Sequence, residues 1–266
     1  MSETLFTAAK ACLDACEADE KVACTQAAVE AWRAGELAGD EKSVPEPVGQ
    51  PGRPLALKLV SPRDLPKRRP TTPEGRAVLF HALAHIEFNA INLAWDAAYR
   101  FRGMPRAFYD DWVRVAGEEA YHFTLLRDHL RGLGHVYGDF PGHNGLWEMA
   151  GKTAHDPLIR MALVPRCLEA RGLDVTPGIK ARLLEAGDAE GAALLDIILR
   201  DEIGHVAIGD HWFRFLCADR DLEPESTFRA LIDEYMKSPL QGPFHREARR
   251  QAGFSEAELA YLEGSG

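Results

Sequence analysis

Two six-residue stretches set a carboxylate and an imidazole on the side of a helix that should carry only apolar groups. "GEEAYH" (117–122) and "RDEIGH" (200–205) each contain Glu-x-x-His, as Glu119 with His122 and Glu202 with His205. Positions i and i+3 of a helix project from one side, so each pair can grip one ion. Trp112, Val115, Ala116, Phe123, Leu126 and Leu130 recur at helical spacing around the first pair. Leu194, Leu195, Ile198, Leu199, Val206, Trp212, Phe213 and Leu216 do so around the second. Both pairs are expected to point inward.

Two further glutamates are out of place in the same way. Glu87 shares a face with Leu83, Ala90, Ile91 and Ala94, and Glu169 shares one with Leu158, Ala162 and Pro165. They precede Glu119 and Glu202 by 32 and 33 residues, an interval that reads as a duplicated helical hairpin. Either Glu-x-x-His alone is weak evidence, since most such pairs lie exposed on a helix. Six positions agreeing in phase, order and interval are stronger. A buried, unpaired carboxylate costs on the order of several kcal/mol, and four together also repel one another. Two divalent cations neutralise four carboxylates, and two imidazoles complete an oxygen and nitrogen shell. Such a shell suits iron or manganese, accommodates zinc and does not favour copper(I). The expected ligands are Glu87, Glu119, His122, Glu169, Glu202 and His205, the pattern of di-metal four-helix bundles. Glu118 and Asp201, each just before a Glu-x-x-His glutamate, are expected to accept the second ring N–H of the bound histidines. His81, His85, Asn89, Asn92 and Asp96 form a polar stripe on another side of the Glu87 helix. That stripe could support the site, line a channel or make ordinary inter-helix hydrogen bonds.

The elements that must carry these residues are helices throughout. Residues 5–38 read as two short helices. Residues 41–72, rich in proline and basic side chains, should be an extended arm. Thr72 and Pro73 cap and open a helix to about Arg102. After "GMP", Pro105 opens a second helix that ends at "GLG" (132–134). Residues 135–155 read as a long loop. Asp156 and Pro157 start a third helix to about Arg171, kinked at Pro165, and "VTPG" starts a shorter one to about Glu185. Asp188 caps a long helix to about Cys217. The tail gives a helix near 224–236, a turn at "SPLQGP" and two short helices, the last opened by the capping box Ser255-x-x-Glu258. No strand pattern competes. The expected fold is all-α: a four-helix bundle over 73–217, with a helical segment at 1–40, the arm at 41–72 and a helical extension at 218–266.

The 266 residues are 46% hydrophobic and 27% charged, the balance of a globular chain. A net charge of −10 disfavours a protein that lives on phosphate contacts. No apolar run approaches a membrane span, and "MSETLFTAAKACLDACEADEK" has no signal-peptide core, so a cytoplasmic location is expected. The five cysteines, Cys12, Cys16, Cys24, Cys167 and Cys217, make no CxxC pair. Cys12 and Cys16 share one apparent helix face, which allows a metal or redox role, but buried thiols are the expected reading.

The stretches "GRPLALKLVSPRDLPKRR", "FHALAHIEFNAINLAWDAAYRF", "EEAYHFTLLRDHL" and "RDEIGHVAIGDHWF" resemble the ferritin-like proteins grouped as domain of unknown function 455. The resemblance covers nearly the whole chain and implies a ferritin-like core with a di-iron type site. The ligand order is also similar to that of bacterioferritins, rubrerythrins and di-iron tRNA hydroxylases. That similarity implies shared positions for Glu119 and Glu202, one metal each for His122 and His205, and terminal positions for Glu87 and Glu169. The chain lacks a rubredoxin-like paired CxxC domain and has extra segments on both sides of the core. The expectation is an O2-activating oxidoreductase or hydroxylase holding Fe/Fe, or alternatively Mn/Fe, acting on a small organic substrate with a separate electron donor, as a monomer or homodimer. Iron storage with ferroxidase turnover is the alternative. A third reading is tRNA modification, with Arg53, Lys58, Arg63, Lys67, Arg68 and Arg69 as a phosphate-contacting arm; an arm pinned to the bundle is favoured over it.

Overall fold

A computed structural model of the chain describes residues 4–39, 44–67, 69–236 and 240–264. Among these the protein is all-α, and its only β features are two isolated bridges, Thr4 with Ala38 and Leu59 with Gly142. Two compact units divide the chain, Met1–Gly151 and Lys152–Gly266.

The first unit is built on an antiparallel pair, α3 (Pro73–Arg100) and α4 (Arg106–Gly132), joined by a short turn. Thr72 caps α3 as expected, its side chain accepting from the Gly75 amide. Most of α3 is buried, including Phe80, Ile91, Ala94 and Trp95. By length and composition α3 could also cross a membrane, contrary to the expectation that no run would qualify, but 83% of its apolar window is buried in the core. The buried stripe of α4 runs through Trp112, Ala116, Phe123, Leu126 and Leu130, and each such large side chain contributes about 1.5–3 kcal/mol. Two shorter helices cover this pair, α1 (Leu5–Asp14) against α3 and α2 (Ala18–Arg33) against α4.

Over its described residues the arm has no regular helix beyond a 3₁₀ turn at Pro62–Asp64 and a hydrogen-bonded turn at Leu55–Ala56, and it is tied down at several points. The Glu46 amide donates to the Tyr99 hydroxyl, Trp147 Nε1 donates to the Gly49 carbonyl, and Val60 N and Lys58 O pair with Gly142. Arg68 lies outside the described residues. The expected loop at 135–155 contains a helix, α5 (Gly145–Lys152), whose Trp147, Met149 and Ala150 are buried. Its glycines disguised an amphipathic turn.

In the second unit, Asp156 caps α6 (Pro157–Leu163) by accepting from the Leu158 amide. The chain then widens into a π-helical turn at Val164–Glu169 and continues without a break as α7 (Ala170–Glu185). The kink expected at Pro165 is therefore a π-turn, as happens where proline removes an α-type hydrogen bond. The break expected at "VTPG" is absent: Pro177 sits inside α7, and the Thr176 hydroxyl donates to the Gly172 carbonyl there. Asp188 caps α8 (Ala189–Asp219), which packs antiparallel to α7. Three short helices follow, α9 (Pro224–Tyr235), α10 (Arg246–Gln251) and α11 (Glu256–Gly264). Between α9 and α10, the expected turn falls partly on residues 237–239, outside the described ones. The capping box is present: the Ser255 amide donates to Glu258 and the Glu258 amide to the Ser255 hydroxyl.

Candidate metal centre

Each Glu-x-x-His pair lies on the buried stripe of its helix, because the apolar residues at i±3 and i±4 turn that face inward. In the first unit, His122 Nδ1 is 3.3 Å from Glu119 Oε2 and 3.7 Å from Glu87 Oε2. All three side chains are buried, and their ligand atoms lie within 4.8 Å of one another. In the second unit, Glu202 and His205 are buried on α8, with His205 Nδ1 3.2 Å from Glu202 Oε1. Glu87, Glu119, His122 and Glu202 are each buried and each offers a ligand atom of a kind that could hold a metal ion.

The charge balance of the first unit's cluster follows from its burial. Burial, and then the Glu119 carboxylate, push the Glu87 carboxyl up to about 8. For His122, burial works against the imidazolium, but Glu119 and Glu87 outweigh it and raise the ring to about 11. At neutral pH the Glu87 carboxyl therefore keeps its proton and His122 carries one, so the acids are balanced by protons that a divalent cation would displace. The donor set fits a hard or borderline cation such as iron or manganese.

Glu169 is half-buried at the end of the π-turn, so the α-helical phase that grouped it with Leu158, Ala162 and Pro165 does not carry through that turn. The turn is tied to α8, the helix of Glu202 and His205, in two ways. Arg166 Nε is 2.9 Å from Asp210 Oδ1, and a Cβ on Gly209 would come within 2.4 Å of the Pro165 ring. Arg166 is also paired with Glu258 and stacked beneath Phe228 at 3.9 Å. A buried arginine in the π-turn was missed in the sequence; its signal was a charged residue among Val164, Pro165 and Cys167.

Glu118 is half-buried on α4. Asp201 is half-buried on α8 and accepts from Arg200 at 2.8 Å and 3.1 Å. Two members of the polar stripe of α3, His81 and His85, dock the loop after α4, while Asn89 donates back to the His85 carbonyl. His85 Nε2 donates to the His143 carbonyl at 3.0 Å, leaving Nδ1 to accept from the Tyr137 hydroxyl at 2.9 Å. His81 Nε2 accepts from the Gly138 amide, and burial lowers this ring to about 4, so it stays neutral. Gly142 lies so close to His85 that a Cβ there would be 2.5 Å from the imidazole. Asn92 donates to the Phe88 carbonyl, and Asp96 accepts from Arg100.

Residues 14–260 match the model of the family described as protein of unknown function DUF455. A Haemophilus influenzae protein described as uncharacterized is 51% identical over 219 residues, 80% of this chain and 75% of the relative. No solved structure matches the chain.

Proposed function

The chain belongs to the DUF455 family, a premise that leaves its chemistry to its own side chains, and we propose that it is a ferritin-like di-metal carboxylate oxidoreductase. In this reading the α3/α4 and α7/α8 pairs are the two halves of one four-helix bundle. Glu119 and Glu202 would serve both ions, His122 and His205 would hold one each, and Glu87 and Glu169 would complete the set as terminal ligands. The observation that carries the proposal is the buried acid pair Glu87 and Glu119 around His122, a donor cluster balanced only by protons that a cation would displace.

An iron pair, or manganese with iron, would supply the redox chemistry for reaction with O2 and oxidation of a small organic substrate. The chain's own part is to orient and to exclude water. Glu118 and Asp201 fix the imidazole rings, and the apolar stripes of α4 and α8 keep bulk water from the carboxylates. His122 must give up its proton when a cation is loaded, so loading releases protons.

Metal analysis of protein purified without added metal tests the assignment. Wild type should carry two ions per chain. Glu202→Ala should lose at least one, while Glu30→Ala, on the exposed side of α2, should keep both. If Glu202→Ala stays folded and retains two ions, the shared-ligand assignment is wrong.

A further inference from the structure

The thiols of Cys12 on α1 and Cys24 on α2 lie 2.9 Å apart, although twelve positions separate them in the chain. A disulfide bond is ~2.05 Å long, so the sulfurs need to close only a small remaining gap. Cys12 is fully buried and Cys24 half-buried, so solvent reaches the pair from the Cys24 side. Cys16, which the sequence placed beside Cys12, lies past the end of α1 in the exposed turn, with its Sγ 3.5 Å from the Asp14 carbonyl.

Lys21 brings a buried cation to this place. Its Nζ donates to the carbonyls of Cys12 at 2.6 Å and Leu13 at 3.1 Å, at the C-terminal end of α1. Burial lowers the Lys21 ammonium to about 8, and the neighbouring sulfurs draw it back up. The hydrogen bond with Cys24, together with burial, holds the Cys12 thiol far above the usual range. Cys24 is therefore the sulfur of the pair that a dissolved oxidant reaches, and the Lys21 cation beside it suits nucleophilic attack there.

We propose that Cys12 and Cys24 are an oxidisable dithiol, which a peroxide converts into an intramolecular disulfide joining α1 to α2. The Cys24 thiolate attacks one peroxide oxygen, the O–O bond breaks, and Cys24 sulfenic acid and hydroxide form. The Cys12 sulfur then displaces the sulfenic oxygen, which leaves as water with the Cys12 proton. In sum two thiols and one hydrogen peroxide give one disulfide and two waters. Since α1 packs on α3 and α2 on α4, the bond cross-links the two helices that cover the Glu87/Glu119 hairpin.

The test uses the full-length chain treated with hydrogen peroxide in the presence of a chelator, which suppresses iron-derived radicals. Trypsin cuts after Lys10, Lys21 and Arg33, leaving Cys12 and Cys16 on peptide 11–21 and Cys24 on peptide 22–33. Cys16→Ser has four of the five cysteines, and its thiol count in denaturant should fall from four to two. Its two peptides should be joined until dithiothreitol is added. In wild type, fragmentation should place the bond on Cys12, and Cys24→Ser should abolish it. Over-oxidation of Cys24 without a cross-link, a bond to Cys16, or linkage between chains would each overturn the proposal.

Discussion

Glu87 and His122 both hold protons more tightly in the fold than in the unfolded chain, and this sets the sign of a pH effect. Glu87 rises from 4.5 to about 8 and His122 from 6.5 to about 11. A raised pKa gives stability that is fully present below the unfolded value and is lost as pH rises through the folded one. Metal-free protein should therefore melt at progressively lower temperature from about pH 4.5, where Glu87 begins to count, to about pH 11, where His122 ceases to. Metal-loaded protein should not, because the cation takes the place of the protons. Glu87→Gln, neutral at every pH, should flatten the metal-free slope. Thermal melts with EDTA and with iron or manganese at matched pH measure both arms, and a flat wild-type slope in EDTA would refute the charge assignment. At this scale the sequence was informative where a polar residue broke an apolar period, as at Glu119, His122, Glu202 and His205. It was silent on Lys21, because a lysine on a short helix ordinarily reads as solvated.

Helix ends were the most legible elements. Thr72, Asp156, Asp188 and the Ser255/Glu258 box all cap where their side chains suggested, because a cap is a local hydrogen bond. Proline was less decisive. Pro177 did not end a helix, since packing of α7 on α8 overrode the local preference, and Pro165 opened a π-turn rather than a simple kink. Pro165 fits there because Gly209 presents no side chain to it. Gly209→Ala should cost about 1–3 kcal/mol, the usual price of overpacking. In combination with Pro165→Gly much of that cost should disappear, a coupling of about 1 kcal/mol or more in a double-mutant cycle. Chemical denaturation of the four variants gives the number, and strict additivity would mean that the contact carries no energy.

For the whole molecule the question is whether iron is a cofactor or a cargo. Fe(II)-loaded protein given O2 should oxidise two irons per chain and stop until a reductant is added. A storage protein would continue, building ferric mineral well beyond two. The extended arm and the loop it pairs with, fixed at Tyr99, Trp147 and Gly142, lie over the first unit and would encumber packing into a closed shell. Anaerobic loading followed by oxygen titration, with iron counted per chain and mass measured by light scattering, separates the two. Continued uptake in a large assembly would put storage first. The arm's extended form was readable from its prolines and its pinning was expected, whereas the anchoring partners were not, because they lie some 50 to 100 residues away in the chain.

The π-turn at Val164–Glu169 also constrains how relatives of this chain can vary in length. Such a turn holds one residue more than an α-helical path would, and each residue rotates a helix by about 100°. Removing one residue between Val164 and Glu169 would restore an α-helix and keep α6 in phase with α7, but would erase the outward bulge on which these side chains sit. Arg166 would leave Asp210, and Glu169 would face another way. In an alignment of functional relatives, gaps should therefore be tolerated on either side of α5 and should be absent from these six columns.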